Sequence, residues 1–331
     1  MEQVLEKRKC MGCSACMNIC PVGAIEMHED KEGFKRPVIN QEKCINCGAC
    51  RRTCPVLNTQ TNQALNKCYA CYSKDEHSMA NSSSGGIFYL LADYVIKNKG
   101  IVIGAAFDKH NKLNHIAINE LEDIIHLQGS KYLQSDLRDI FQLIRKNIKD
   151  KLILFVGTPC QVAGLKAFLK KDYDNLITVD IICHGVPSPK LFKKYVTEME
   201  ARENQKLVKY IFRDKTSGWE TYSNTFVFEK GQKTQLASEN NYMKLFLSDI
   251  ALRESCYDCH FKLGNKYSDL TLGDFWGVEK IKPQLYNKSG VSAVILNSNK
   301  GIDLFKSIEK DLIYEECRLE EILTRNKSLE S

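Results

Sequence analysis

The sequence predicts an α/β domain preceded by a small cysteine-rich domain, and three observations carry that reading. Eight of the 15 cysteines fall within the first 54 residues. Residues 85–182 alternate helical apolar spacing with short continuous apolar runs, the pattern of βαβ units. The 331 residues suffice for about two domains and a sizeable core, so the cysteines are not needed as disulfide staples.

Composition narrows the class. Lys+Arg 47 against Asp+Glu 41 gives a formal +6, and 27% charged residues of mixed sign with 43% hydrophobic residues describe a folded chain rather than a disordered one. The opening MEQVLEKRKC is charged and lacks the apolar core of a secretory signal. The longest apolar runs, such as 101–107, fall far short of the roughly 18 residues of a membrane helix, so no membrane span is expected. A cytoplasmic, reducing location is therefore expected, where clustered cysteines act as metal ligands. The basic residues are scattered and Lys outnumbers Arg, so the charge reads as solvated surface and no nucleic-acid partner is expected.

The first element is an internal repeat. CMGCSACMNICP and CINCGACRRTCP share C-x2-C-x2-C-x3-C-P, the spacing of bacterial two-cluster ferredoxins. Three cysteines two residues apart wrap one face of a cubane. The fourth, after three residues, turns toward the other cluster, and the proline fixes the departing chain. Gly12 and Gly48 permit the tight backbone and turn N–H groups toward cluster sulfur. Ligation is expected to cross over: Cys10, Cys13, Cys16 and Cys54 hold one [4Fe–4S] cluster, and Cys44, Cys47, Cys50 and Cys20 the other. Zinc does not call for this doubled spacing with a proline after each copy.

Cys68 and Cys71 form another C-x2-C, but Tyr69, Ala70 and Tyr72 read as a half-buried strand. Residues three apart on a strand point to opposite faces, so both are expected to be structural. Cys317, in EECRLEE, is expected to be a buried helix cysteine or a free thiol.

The α/β elements follow in order. Residues 85–100 read as a helix opened by Gly85 and Gly86, with Gly100 just past its end. The loop NSSSGG before it is either a phosphate-holding turn or a plain loop. A strand over 101–107 and an Asp-capped helix over 136–150 come next. Residues 152–156 read as a buried strand, Gly157-Thr158-Pro159-Cys160 as its exit, 161–171 as a helix and 176–182 as a second strand ending at Cys183-His184-Gly185. Cys160 and Cys183 then lie just past the carboxyl ends of two parallel strands, where α/β folds place their sites. Cys256 and Cys259 offer a second pair of thiols, and the four together are ligands of a third [4Fe–4S] cluster, a zinc site or unrelated thiols. His184 is a proton relay, a cluster-tuning group or a hydrogen-bonded loop residue. After a strand over 207–212, Arg213 and Lys215 are cations for an anionic cofactor or a solvated turn. DLTLGDFWG, at 269–277, is a strand running into two aromatics that line a ring pocket or fill the core.

At this point the residues resemble a known family. SSSGGIF, GSKYLQS, GTPCQ, DIICHG, FRDK with a following GW, CYDCHFK and SDLTLGDFWG stand in the order seen in the coenzyme F420 hydrogenase/dehydrogenase β-subunit family, here with an N-terminal two-cluster ferredoxin domain. The resemblance runs from about Cys10 to about Leu296. It implies an iron–sulfur flavoprotein that binds FAD and exchanges electrons between clusters and a two-electron acceptor. In archaeal members that acceptor is coenzyme F420; plant relatives reduce a chlorophyll derivative. It implies that Cys160, Cys183, Cys256 and Cys259 hold the third cluster. It also implies that Ser82, Ser84, Gly85 and Gly86 form the flavin-phosphate loop, and that Lys131, Tyr132, Thr158 and Pro159 line the flavin site.

The expected fold is thus an α/β (α+β) flavin- and cluster-binding domain behind a ferredoxin-like domain. The expected divisions are 1–62 for the two clusters, 63–150 for the part with the flavin loop, and 151–331 for the part with the third cluster. The expected function is an oxidoreductase moving electrons between the clusters, FAD and a small molecule such as coenzyme F420, with His184 as general acid. A ferredoxin or a catalytic subunit is the expected redox partner. The alternative is a non-catalytic electron-transfer subunit serving such a partner. The formal +6 then acquires a purpose: a cluster with four thiolates carries about −2, so three of them bring the holoprotein near zero.

Overall fold

Aliphatic runs with no polar face are stable only in a strand covered on both sides, and these runs set the centre of the molecule. In this computed structural model residues 3–59, 67–262 and 266–326 are described. The expected boundary at 62/63 lies outside the described residues. In chain order the strands are β1 (Ile25–Glu29), β2 (Lys35–Ile39), β3 (Lys67–Ser73), β4 (Ile101–Phe107), β5 (Leu113–Ile118), β6 (Ile153–Gly157) and β7 (Leu176–Ile181). They continue as β8 (Leu207–Asp214), β9 (Ser223–Phe228), β10 (Gly231–Leu236), β11 (Leu270–Asp274), β12 (Ser292–Leu296) and β13 (Leu312–Cys317).

Eight of these strands make one sheet in the order β13-β3-β12-β11-β7-β6-β4-β5. β4, β6, β7 and β11 run parallel, and β5 and β12 are antiparallel to their neighbours. β1 pairs with β2, and β8–β10 form a separate antiparallel sheet. The molecule is a mixed α/β protein. The expected βαβ unit is present, with β6 beside β7 in a register that sets Gly157 opposite Asp180.

Two apolar layers cover the large sheet. On one face the helix Ile87–Lys97 buries Ile87, Leu90, Leu91, Ala92, Val95 and Ile96 at helical spacing. It packs with Val102, Leu154, Val179 and Val294. Each of the Ile, Leu and Val side chains contributes about 1.5–3 kcal/mol when fully buried. The other face takes the helices Ile140–Asn147 and Pro159–Leu169 against Ile103, Ile153 and Phe155.

Three expectations shift. The helix expected over 136–150 begins at Ile140, because the Asp136 backbone is bound to β5: His115 N donates to Asp136 O at 2.9 Å and Asp136 N to Leu113 O at 3.0 Å. The helix expected over 161–171 is Pro159–Leu169, so Cys160 sits inside its first turn. Cys317 lies at the end of β13, not in a helix, since the backbone of 312–317 finds its partners on β3 and the helix Leu319–Leu323 starts only afterwards. Cys68 and Cys71 occupy opposite faces of β3 as expected: Cys68 packs with Cys317 and Val291, Cys71 with Leu91 and Val294.

The N-terminal region docks where β6 and β7 end. Gln134 Nε2 donates to Met11 O at 2.9 Å, Asn18 Nδ2 to Arg138 O at 2.9 Å, and Arg253 Nη2 to Lys35 O at 3.0 Å. Lys35 Nζ pairs with Asp136. Among the described residues no helix is long and apolar enough to cross a membrane.

Candidate functional site

The two cysteine repeats adopt the same backbone device. In each, the residue before the second cysteine and the residue after it have positive φ: Gly12 (68°) and Ser14 (58°) in one copy, Asn46 (53°) and Gly48 (70°) in the other. One glycine per copy removes part of the cost of the left-handed turn, about 1–2 kcal/mol for a residue with a Cβ. The turns lead into the short helices Ala15–Ile19 and Ala49–Arg52, which carry Cys16 and Cys50.

The two sets gather in the crossed arrangement. Burial pushes the Cys13 thiol well up, and the charges of Cys16, Cys54 and Cys10 push it further. A cavity of about 340 Å³ is lined by Cys20, Cys44, Cys47 and Cys50, with Cys47 exposed. Thiols that repel one another as thiolates are the groups that bound iron brings to the deprotonated state.

The third set is assembled from three segments. Thr158 caps the helix Pro159–Leu169: its N–H donates to Gln161 Oε1 at 2.9 Å, closing a capping box, and its Oγ1 lies 3.2 Å from Cys160 Sγ. Cys183 follows β7. Cys256 N donates to Arg253 O at 2.8 Å, and Arg253 N donates to Val186 O at 3.0 Å, which holds Cys256 and Cys259 over the same strand ends. A cavity of about 440 Å³ is lined by Cys160, Cys183, Cys256 and Cys259. Burial pushes the Cys160 thiol up to about 12, with Cys259 and Cys256 adding to it; Cys183 is raised well above the ordinary value by burial and by Cys256, Cys160 and Cys259. Among the described residues no three His, Cys, Asp or Glu side chains close on one point as a single-ion site does.

His184 lines this third cavity. Its Nε2 lies 2.7 Å from Asp249 Oδ1, and its ring meets Phe246 edge-on at 5.0 Å. Phe246 stacks in turn on Tyr132, also at 5.0 Å. These rings join the cysteine cavity to the second group of expected residues.

That second group surrounds the Ser82–Gly86 turn. Ser82 Oγ accepts from Gln128 Nε2, Ser83 Oγ from Ser130 N, and Ser84 Oγ donates to Val291 O at 2.9 Å. Gly85 has no room for a Cβ, which would lie 2.5 Å from Cys71 O, and Gly86 caps the helix at φ 80° without offering a side-chain acceptor. The first-turn N–H groups of an 11-residue helix therefore face this turn without a side-chain cap, the usual setting for an anion.

Arg213 is buried, not a solvated turn. It pairs with both oxygens of Asp274 at 3.0 and 3.2 Å and donates to Tyr132 Oη and Ser83 O at 3.3 Å each. Among the described residues its Nε has no partner. Lys215 donates to Met79 O at 2.5 Å and Ser289 O at 2.8 Å, and burial draws its ammonium down to about 8. Lys131 donates to the carbonyls of Leu127, Gln128 and Gly129, and burial draws it down to about 7. Thr158 and Pro159 line the third cysteine cavity.

Sequence reasoning missed several residues of these sites. Asp274 orients Arg213 and accepts from Trp219 Nε1 at 2.8 Å, and Trp219 stacks on Trp276 at 4.8 Å. Of the two aromatics flagged after β11, Phe275 is core and Trp276 is the one stacked beside Arg213. Gly164, Gln134 and Arg253 join the N-terminal region to the third cavity; nothing in the local sequence around them signals that contact.

Comparison with known proteins follows the same division. A family model for the C-terminal part of the beta subunit of coenzyme F420 hydrogenase/dehydrogenase matches residues 150–322, and a 4Fe-4S dicluster domain matches residues 9–58. An uncharacterized protein of Methanocaldococcus jannaschii is 23% identical over 346 residues, covering 92% of this chain and 88% of its own. A solved chain of the F420-reducing [NiFe] hydrogenase complex from Methanosarcina barkeri matches with a TM-score of 0.56 at 19% identity, over 82% of this chain and 89% of that one. At that identity the likeness is one of fold.

Proposed function

The chain belongs to the coenzyme F420 hydrogenase/dehydrogenase β-subunit family, and from that premise we propose an iron–sulfur flavoprotein oxidoreductase. The 4Fe-4S dicluster match makes it an iron–sulfur electron-transfer protein. The finer reading adds a third cluster on Cys160, Cys183, Cys256 and Cys259, FAD at the Ser82–Gly86 turn, and a two-electron acceptor such as coenzyme F420 or another conjugated small molecule.

The observation that carries this reading is the convergence of four cysteines from three distant segments on one cavity, at the docking face of the N-terminal cysteine region. Bound in these places, clusters exchange single electrons and a flavin converts between one- and two-electron chemistry. The chain's own residues do the placing. The uncapped helix start beyond Gly86 offers its first-turn N–H groups to a phosphate, and Arg213, held by Asp274, reaches the same turn through Nη2 on Ser83 O. Trp276 and Tyr222 pack on the Arg213 guanidinium and exclude water from it. His184 lines the third cavity with its Nε2 2.7 Å from Asp249 Oδ1, which sets the ring's position there.

Anaerobic purification with iron and sulfide determination tests the reading. About 12 Fe and about 12 sulfides per chain are expected, with FAD in the released fraction. About eight of each removes the third cluster, and failure to bind added FAD removes the flavin.

One observation favours a second reading, an electron-transfer subunit docked on a catalytic partner. The second cysteine cavity opens at exposed Cys47 and is rimmed by exposed apolar Ile45 (61%) and Val22 (41%). Such a rim is a contact surface. A protein that loads every cofactor yet turns over no soluble acceptor would be that subunit.

A further inference from the structure

Arg253 is 0% exposed. Its guanidinium donates from Nε to Cys10 O at 2.7 Å, from Nη1 to Gln134 Oε1 at 2.8 Å and from Nη2 to Lys35 O at 3.0 Å. All three acceptors are uncharged. Among the described residues no carboxylate is in ion-pair contact with it; the adjacent Glu254 pairs with Arg36 instead, at 3.6 Å. A buried cation without a counter-charge is costly, by several kcal/mol. Arginine cannot escape by losing its proton. Its presence calls for an anion.

The position of Arg253 names that anion. The side chain lines the cavity of Cys160, Cys183, Cys256 and Cys259, and its backbone carries Cys256. Its other side lies against the Cys10–Cys13 turn so closely that a Cβ on Gly12 would come 3.0 Å from Nη1. The ionisable neighbours acting on it include Cys10 from the first site and Cys256 and Cys160 from the third. Arg36 adds a second cation on the same carbonyl, Cys10 O, but carries its own counter-charge in Asp30 at 3.0 Å.

We infer that Arg253 is the positioning and electrostatic link between the first and third cluster sites: its unpaired charge offsets both anionic clusters, and its fork holds the two sites in register for electron exchange. The inference rests on the third cluster proposed above. A [4Fe–4S] core with four thiolates carries about −2 and gains one more negative charge on taking an electron. A fixed cation in a low-dielectric setting favours the reduced form and raises the potential at both sites. Arg253 stays protonated throughout, so the electron moves without a proton from this group. The Cys20/Cys44/Cys47/Cys50 site, which Arg253 does not line, is not held in this way.

The test is a redox titration of the full chain, prepared anaerobically, followed by EPR with dithionite and ferricyanide as titrants. The three signals are assigned by their loss in C47S, C13S and C160S proteins. In Arg253→Gln the first and third sites are expected to become harder to reduce, each by tenfold or more in equilibrium, about 59 mV per tenfold for one electron. The second site is expected to stay within twofold. Gln134→Glu keeps Arg253 in place and supplies the missing carboxylate, and is expected to act in the same direction; it keeps the inference testable if Arg253→Gln does not fold. Arg253→Lys is expected to retain most of the wild-type potentials. Full iron content with unmoved potentials in both neutralising proteins, or an equal shift at all three sites, overturns the inference. A wild-type protein with only two clusters overturns it by a separate route, since the third site itself then fails.

Discussion

Gly164 lies directly against Cys13. A Cβ built on Gly164 would stand 2.9 Å from Cys13 Cβ and 3.0 Å from Cys13 Sγ. Gly164 is one turn beyond Cys160 on the helix Pro159–Leu169, so a single helical turn separates a thiol of the third site from one of the first. In an unobstructed helix, Gly→Ala stabilises by about 0.5–1 kcal/mol. Here the methyl meets a cluster ligand, and overpacking of about 1–3 kcal/mol is the larger effect. Gly164→Ala is therefore expected to lower the unfolding midpoint and to shed iron from the first site. An unchanged or raised midpoint with full iron would show that the contact yields.

Cys68, Cys71 and Cys317 are expected to hold no iron. Cys68 and Cys317 are register partners on β3 and β13, and both face one apolar layer, while Cys71 faces the other. Burial raises all three thiols, Cys68 to about 12. Serine at any of them is expected to leave the iron content unchanged. Cys71→Ser, at 0% exposure, is expected to destabilise by about 1–3 kcal/mol as an unsatisfied hydroxyl enters the core. A loss of about four Fe would assign the residue to a cluster instead.

What was legible in the sequence follows from how local each constraint is. The ferredoxin repeat is local, because three of four ligands of each cubane lie within one loop. The strands at 101–107 and 176–182 are legible because an aliphatic run has few alternatives to a covered strand. Cys160 and Cys183 could be placed at one sheet edge because the two strands of a βαβ unit run parallel and end on the same side. The rest depends on contacts far apart in the chain. Arg253 reaches Cys10 across 243 positions and Arg213 reaches Asp274 across 61, and no local pattern marks either. Of the two readings of Cys317, the free thiol stands and the helix does not: its glutamate-rich surroundings favour a helix, whereas the edge of β3 draws the segment into the sheet.

The Arg213–Asp274 pair yields a third expectation. Arg213 is buried, and Asp274 is its carboxylate partner through both oxygens. Removing one partner of a buried pair leaves the other uncompensated, at about 3–5 kcal/mol. Asp274→Ala is expected to lose stability on that scale in denaturant unfolding of flavin-free protein. Added FAD is expected to recover more of the midpoint than it does for wild type, because its phosphates supply the lost charge. A loss under about 1 kcal/mol would show that Tyr132 and Ser83 suffice to hold Arg213.

His115 sets a pH dependence. Its ring is buried, with Nε2 at 3.0 Å from Val156 O and Nδ1 at 2.9 Å from Ser135 Oγ, and it stacks on Phe155 at 5.5 Å. Burial draws its pKa down from 6.5 to about 4. The folded chain thus keeps a neutral ring where the unfolded chain binds a proton, so the unfolded state holds more protons between about pH 6.5 and 4. Stability from this group is full above pH 6.5 and falls as pH drops toward 4, with a slope of up to about 1.4 kcal/mol per pH unit. His115→Gln can still donate to Val156 O but cannot take up the proton. Its unfolding free energy is expected to fall less steeply than that of wild type from pH 7 to 5, measured under nitrogen on matched iron loading. Parallel pH profiles for the two proteins would mean that another group governs the acid limb.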